Sequence, residues 1–211
     1  MRRGTIILRC ERIVPAAVIS VIIPTLNDER RLLPTLSVLV TGAAEGLIVE
    51  AIVADGGSTD ETEMVADVAG CRFLEGPADA GERLALAAAG AKAPWLMFIR
   101  PGIVLDEGWN REVRSFLDQV TRRAQAASRA AAFGFGVDQY GLAAHAARAR
   151  ARAAFLLGFG ASPSQGLLVS RELYRSVGGH TPGPSSERAL SRRIGVGRTV
   201  TLRCRATSID R

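Results

Sequence analysis

Cysteine is scarce in this chain and lysine is almost missing. Three cysteines, Cys10, Cys71 and Cys204, are scattered over 211 residues with no C-x-x-C pair. That spacing argues against a disulfide framework or a thiolate metal site, and it suits a reducing cytoplasm. Cys71 and Cys204 read as small apolar residues of buried strands. No apolar run approaches the ~20 residues of a membrane-spanning helix. Arg9, Glu11 and Arg12 interrupt the N-terminal segment, which reads as neither a signal peptide nor a spanning helix. One of the 27 basic residues is a lysine, Lys92; the bias toward arginine is ascribed to composition rather than to function.

What remains is the composition of one globular domain spanning 1–211. Hydrophobic residues make up 47% and charged residues 23%, which suits a packed core rather than disorder. From Leu142 onward 12 arginines stand against three acids, Glu172, Glu187 and Asp210. Such asymmetry points to an anionic partner near the C-terminal third, a diphosphate or a lipid surface, or else to a solvated basic surface. His145, Arg148 and Arg152 share one helix face at i, i+3 and i+7. An exposed polar face is the simpler reading; peripheral contact with an anionic membrane is the other. Nucleic acid is not an expected partner.

Periodicity and breakers predict strand 19–24, helix 28–41, strand 48–55, helix 60–69, strand 71–75, helix 80–92 and strand 95–99. Helix 109–125 follows, capped by Asp106, then strand 130–137 and helix 142–157. Strand 166–170, a helical turn over 171–177, helix 187–194 and strand 199–204 complete the chain. The first hundred residues alternate strand and helix, so the class is α/β, with a mostly parallel sheet flanked by helices.

The most informative stretch is L-I-V-E-A-I-V-A-D-G-G-S-T-D over 47–60. A buried strand ending in Asp55 delivers a carboxylate to its C-terminal tip, where open α/β sheets build ligand sites. Gly56 and Gly57 allow a sharp turn and close ligand approach, and Asp60 can cap the next helix. An ordinary strand-to-helix turn is the alternative. Upstream, I-S-V-I-I-P-T-L-N-D-E over 19–29 is a second strand, broken by Pro24, with Asn27 as helix cap. Two such strands with a helix between them form a right-handed βαβ unit. Their tips, Pro24 with Thr25 and Asp55 with Gly56, then lie side by side, where a nucleotide would fit. No G-x-G-x-x-G follows the first strand, which disfavours a nicotinamide-dependent dehydrogenase. No Gly-rich basic loop stands there either, which disfavours a nucleotidyltransferase.

Together these two motifs resemble family-2 glycosyltransferases of the GT-A fold. The D-G-G-S-T-D variant is most similar to the small bacterial branch associated with radical-SAM and selenodomain proteins. P-W-L-M-F-I over 94–99 stands where that family has the strand leading to its acidic metal motif. S-Q-G over 164–166, L-L-V-S-R over 167–171 and V-G-G over 177–179 match its G-D-Q-G…F-x-R-R…G-G-F region, and L-S-R-R over 190–193 matches the helix after its catalytic Glu-Asp. The resemblance implies a single Rossmann-like GT-A domain, with a nucleotide-binding half over about 18–100 and an acceptor half over about 101–208. It implies a nucleotide-diphosphate sugar as donor and leaves the acceptor unknown. Pro24, Thr25, Glu29, Asp55, Ser58, Asp60 and Arg83 would line the nucleotide pocket, with Asp55 accepting a hydrogen bond from the base. Ser164 and Gln165 would lie on the acceptor side. The reaction would be inverting, with a carboxylate taking the proton of the attacking hydroxyl.

The pattern departs from the family in three places. The family's strand ends in a motif such as D-A-D, whose last Asp binds Mn2+ or Mg2+; here the positions hold Arg100, Pro101 and Gly102. No metal ligand is therefore expected, and the Arg100 guanidinium would pair with the diphosphate instead. Asp106 and Glu107 lie nearby but belong to the next helix. Glu187 takes the position of the catalytic Asp, as a base or simply as a first-turn acid. Ser164 replaces the acceptor-side Asp. Two readings follow: a metal-independent glycosyltransferase, or a catalytically inactive GT-A domain that binds a nucleotide or a protein.

Overall fold

The two β-branched runs pair with each other. β1 (Ile19–Thr25) and β2 (Ile48–Asp55) lie parallel, with Thr25 opposite Asp55, in a computed structural model that describes residues 18–137, 149, 153 and 161–209. β3 (Arg72–Glu75) and β4 (Trp95–Phe98) extend this parallel set on either side. Parallel neighbours need a crossover, and α1 (Glu29–Ala44), α2 (Thr62–Val68) and α3 (Ala80–Gly90) supply it. The second half adds β5 (Ile103–Leu105), β6 (Ala130–Val137), β7 (Leu167–Ser170) and β8 (Thr199–Ser208) to one sheet of order β3-β2-β1-β4-β7-β6-β8-β5. β7 runs antiparallel to β4 and β6, β5 runs antiparallel to β8, and β6 and β8 are parallel. Among the described residues, this half also holds the helices α4 (Trp109–Arg122), α5 (Arg171–Ser176) and α6 (Ser186–Ile194).

Both faces of the sheet are buried, so its central strands read as unbroken apolar runs. Ile19, Val21 and Ile23 pack on one side with Leu32 and Leu36 of α1 and Trp109, Val113 and Phe116 of α4. Ile22, Ile52 and Ala54 pack on the other with Leu84 of α3, Leu173 of α5, and Leu190 and Ile194 of α6. The predicted strands 48–55 and 130–137 coincide with β2 and β6. β5 was not expected. It is three residues long, lies at the sheet edge, and owes its existence to pairing with β8, which runs on to Ser208. Asp106 does not cap α4, whose N-cap is Gly108; its Oδ2 accepts the Arg205 amide at 3.1 Å instead. Cys71 stands just before β3, and both it and Cys204 are half-buried. The expected helix 142–157 with its His145, Arg148 and Arg152 stripe lies, but for residues 149 and 153, outside the described residues. Among those described, no helix is long and apolar enough to cross a membrane.

Contacts between α3 and the start of α6 join the two halves. Asp79 caps α3 by accepting the Glu82 amide at 2.9 Å, and its other oxygen accepts the Gly183 amide at 2.8 Å. Gly81 faces the same loop: a Cβ there would collide with the Thr181 carbonyl oxygen and lie 2.7 Å from Ser186 Oγ. Gly81→Ala is therefore expected to lose a net ~1–2 kcal/mol in urea denaturation, overpacking outweighing the helix-propensity gain. Gly197→Ala, where a Cβ meets nothing within 4 Å, should stay within about 0.5 kcal/mol of wild type.

Candidate active site

Asp55 ends β2 beside Thr25, and its carboxylate is fully engaged by the protein. Oδ1 accepts from Thr25 Oγ1 at 2.8 Å and Ser58 Oγ at 2.5 Å, while Oδ2 accepts the amides of Gly57 at 2.8 Å and Ser58 at 2.7 Å. A carboxylate offers about four lone-pair sites, and all are filled in a residue 1% exposed. This corrects the expectation that Asp55 accepts a hydrogen bond from a nucleobase. Its carboxylate shapes the turn and has no acceptor left for a ligand. Burial alone would raise its pKa, but the bonds from Ser58, Thr25 and Gly57 outweigh it and hold the group below the usual carboxylate range.

The neighbouring candidates are interlocked in the same way. Ser58 Oγ accepts the Asn27 amide at 2.8 Å, and Asn27 Oδ1 accepts the Thr59 amide at 2.8 Å. Asp60 accepts the Glu29 amide and the Thr62 amide, both at 3.1 Å, and Glu29 Oε2 accepts the Glu61 amide at 3.1 Å. Burial works to raise the Asp60 pKa, and the bonds from Thr62 and Glu29 bring it below the ordinary value. Two expected caps are corrected. Asn27, at φ 54°, braces one loop against the other, while Asp28 is the N-cap of α1. Asp60 ties the starts of α1 and α2 together, and the N-cap of α2 is Glu61. Pro24 is half-buried opposite Ala54. The outward edge of this frame is Leu26, Asn27, Gly57 and Thr59, all exposed.

Arg83 supports the frame from α3. It is 6% exposed, and its Nη1 donates to the Ala78 carbonyl at 2.6 Å and the Pro77 carbonyl at 3.4 Å. A Cβ on Gly56 would sit 2.8 Å from that nitrogen. Glycine at 56 thus serves the packing of a buried guanidinium, not the approach of a ligand.

The second cluster lies past the tip of β4. Arg100 Nε donates to Glu187 Oε2 at 2.8 Å, and Nη2 pairs with the same oxygen. The candidate diphosphate residue and the candidate base, 87 positions apart, form one ion pair. Their side chains are 47% and 17% exposed. Beside it runs a narrow cleft of about 20 Å³ lined by Phe98, Ser162, His180, Glu187 and Ser191. Ser164 and Gln165 belong to the 3-10 turn Pro163–Gln165. Gln165 is buried and holds that turn, accepting the Ser162 amide at 2.8 Å and donating to the Phe133 carbonyl at 2.9 Å. Ser164 Oγ lies 2.9 Å from Ser162 Oγ.

These residues do not fit a divalent cation. The position that would ligate it carries a paired guanidinium, and among the described residues no three His, Cys, Asp or Glu side chains form a group that could hold one. Asp106 and Glu107 line a different cleft, with Ser37, Thr41 and Arg111.

His180 escaped sequence reasoning. It follows Gly178 and Gly179, where the resembled G-G-F pattern has an aromatic residue, and that substitution was the available signal. The ring packs edge-on against Phe98 at 4.6 Å, and Nδ1 lies 3.1 Å from the Tyr174 hydroxyl, which also accepts the His180 amide at 2.9 Å. Burial, with the Arg193 charge, lowers its pKa to about 3, so a neutral imidazole lines the cleft beside Glu187.

Residues 20–99 match the sequence family described as Glycosyl transferase family 2. No curated protein matches the chain. Among solved structures, glucosyl-3-phosphoglycerate synthase from Mycobacterium tuberculosis is similar in fold. In complex with phosphoglyceric acid it aligns with a TM-score of 0.62 at 23% identity, covering 92% of this chain and 73% of that one. In complex with Mn2+, UDP-glucose and phosphoglyceric acid it aligns with a TM-score of 0.63 at 24% identity, covering 100% and 78%. The sheet with helices on both faces is therefore the GT-A arrangement. These matches carry the fold, and a likeness to the family over residues 20–99; they do not bear on the radical-SAM-associated branch.

Asp55→Asn places an amide N–H against donors that need an acceptor, and should cost about 1–3 kcal/mol in chemical denaturation. His180 sets a pH dependence. Its stabilisation is complete above the unfolded pKa of 6.5 and is lost progressively as pH falls toward 3, because the unfolded chain takes up a proton that the fold excludes. Between pH 6.5 and about 4.5, above most carboxylate titrations, the urea midpoint of the wild type should fall more steeply than that of His180→Gln.

Proposed function

We propose that this chain, whose residues 20–99 match the family described as Glycosyl transferase family 2 within a GT-A fold, is a glycosyltransferase of that family that transfers a sugar from a nucleoside-diphosphate sugar to an acceptor hydroxyl, with inversion and without a divalent cation. The nucleoside lies along the outward edge of the frame between the tips of β1 and β2, past Pro24. The diphosphate reaches Arg100, whose side chain follows the adjacent strand β4. The acceptor presents its hydroxyl at the mouth of the cleft lined by Phe98, Ser162 and His180. Its oxygen attacks the anomeric carbon and Glu187 takes the proton. The bond from that carbon to the diphosphate oxygen breaks, and the leaving group keeps the electron pair. Arg100 offsets the charge that develops there. The similar synthase has been seen with Mn2+ and UDP-glucose; in the present chain the guanidinium of Arg100 stands where the resembled family places its metal ligand. A peripheral contact of the His145, Arg148 and Arg152 stripe with anionic lipid on the cytoplasmic face belongs to the same proposal.

The observation that carries this reading is the meeting of Arg100 and Glu187 at 2.8 Å. It puts one positive group and one carboxylate beside the donor frame. The same contact favours a second reading, because two Arg100 donors already occupy Glu187 Oε2: a GT-A domain that binds nucleotides without turning them over. Incubation with a panel of UDP- and GDP-sugars separates the two. The enzyme reading expects nucleoside diphosphate release that survives EDTA and falls by about 10²–10⁴ in Glu187→Gln. Nucleotide binding without release from any donor establishes the binding module.

A further inference from the structure

The Arg100–Glu187 contact masks both partners. Nε and Nη2 form the side-on edge of the guanidinium fork, the edge suited to gripping an oxyanion bidentately, and both donate to Glu187 Oε2. The same two donors fill Glu187 Oε2, the oxygen to which an acceptor hydroxyl would have to donate. The two anchors differ in mobility. The start of α6 is fixed: Ser186 is buried and its Oγ accepts the Thr181 amide at 3.1 Å, and Asp79 holds the Gly183 amide at 2.8 Å. The Arg100 side chain is 47% exposed and can swing without any helix moving.

We propose that this ion pair is a donor-operated latch. The donor's diphosphate draws Arg100 off Glu187, and Glu187 becomes available to an acceptor hydroxyl only once the donor is seated. The inference rests on the donor site proposed above. A pair this open to solvent contributes little on its own, so an anion bearing more charge than one carboxylate can displace Glu187. The latch imposes an order, donor before acceptor, and keeps the base masked in the empty protein.

Calorimetric titration with UDP, GDP and inorganic pyrophosphate tests it on the wild type, Glu187→Gln, Glu187→Ala, Arg100→Ala and the double variant Arg100→Ala/Glu187→Gln. Removing the Glu187 charge should tighten diphosphate binding about two- to fivefold, the range a solvent-screened pair can withhold. Arg100→Ala should weaken binding, and in that background Glu187→Gln should bring no tightening. Unchanged or weaker binding in both Glu187 variants, with the wild type still binding, overturns the latch and leaves the donor site standing. Binding by none of the five proteins overturns the donor site and the latch together.

Discussion

A buried carboxylate must be given donors, and satisfying Asp55 decides the shape of the ligand edge. Two of its four partners are amides of the turn that follows it, and two are hydroxyls, one from that turn and one from the neighbouring strand. The turn cannot relax without exposing that charge to an unsatisfied interior. From this tie the rest extends outward. Ser58 passes the constraint to Asn27, Asn27 to Thr59, and Asp60 with Glu29 to the first turns of α1 and α2. A frame braced this way is ordered in advance of any ligand, which lowers the entropic cost of binding one.

Arginine does a different job inside this fold from the one its abundance suggests. Arg72 donates to the Gly90 carbonyl, Arg83 to Ala78, Arg129 to Gly197, Arg171 to Ala91 and Ala93, and Arg193 to Val177 and Gly179. Each ties a carbonyl of a loop or of the end of a helix. A planar fork with five donors can bridge two such carbonyls, and an ammonium on a flexible stem holds them less well. The shortage of lysine therefore has a structural correlate, and part of the basic excess of the C-terminal third is directed inward.

The packing of α3 against the start of α6 sets the distance between the halves of the site. Gly81 permits the close approach, Asp79 clamps the loop, and Glu187 follows one residue after the buried Ser186. The carboxylate thereby lands within reach of a strand tip that belongs to the other half. The arginine at that tip meets the carboxylate in a direct contact between opposite charges.

The sequence by itself determined the α/β class, the alternation of strands and helices through the first hundred residues, and the likeness to the family over residues 20–99, because those rest on local periodicity and on two contiguous motifs. It singled out Asp55, Ser58, Asp60, Arg100 and Glu187, which the structure gathers into two hydrogen-bonded clusters. It missed β5 and His180, whose states come from partners far along the chain. It did not show which partners Asp55 and Arg83 bond to, since residue type shows that a group can hydrogen-bond and not which groups will saturate it. Only the tertiary structure decided that the carboxylate at the strand tip faces its own turn, and that Arg100 and Glu187 hold one another. Those outcomes depend on distances between segments that no local pattern encodes.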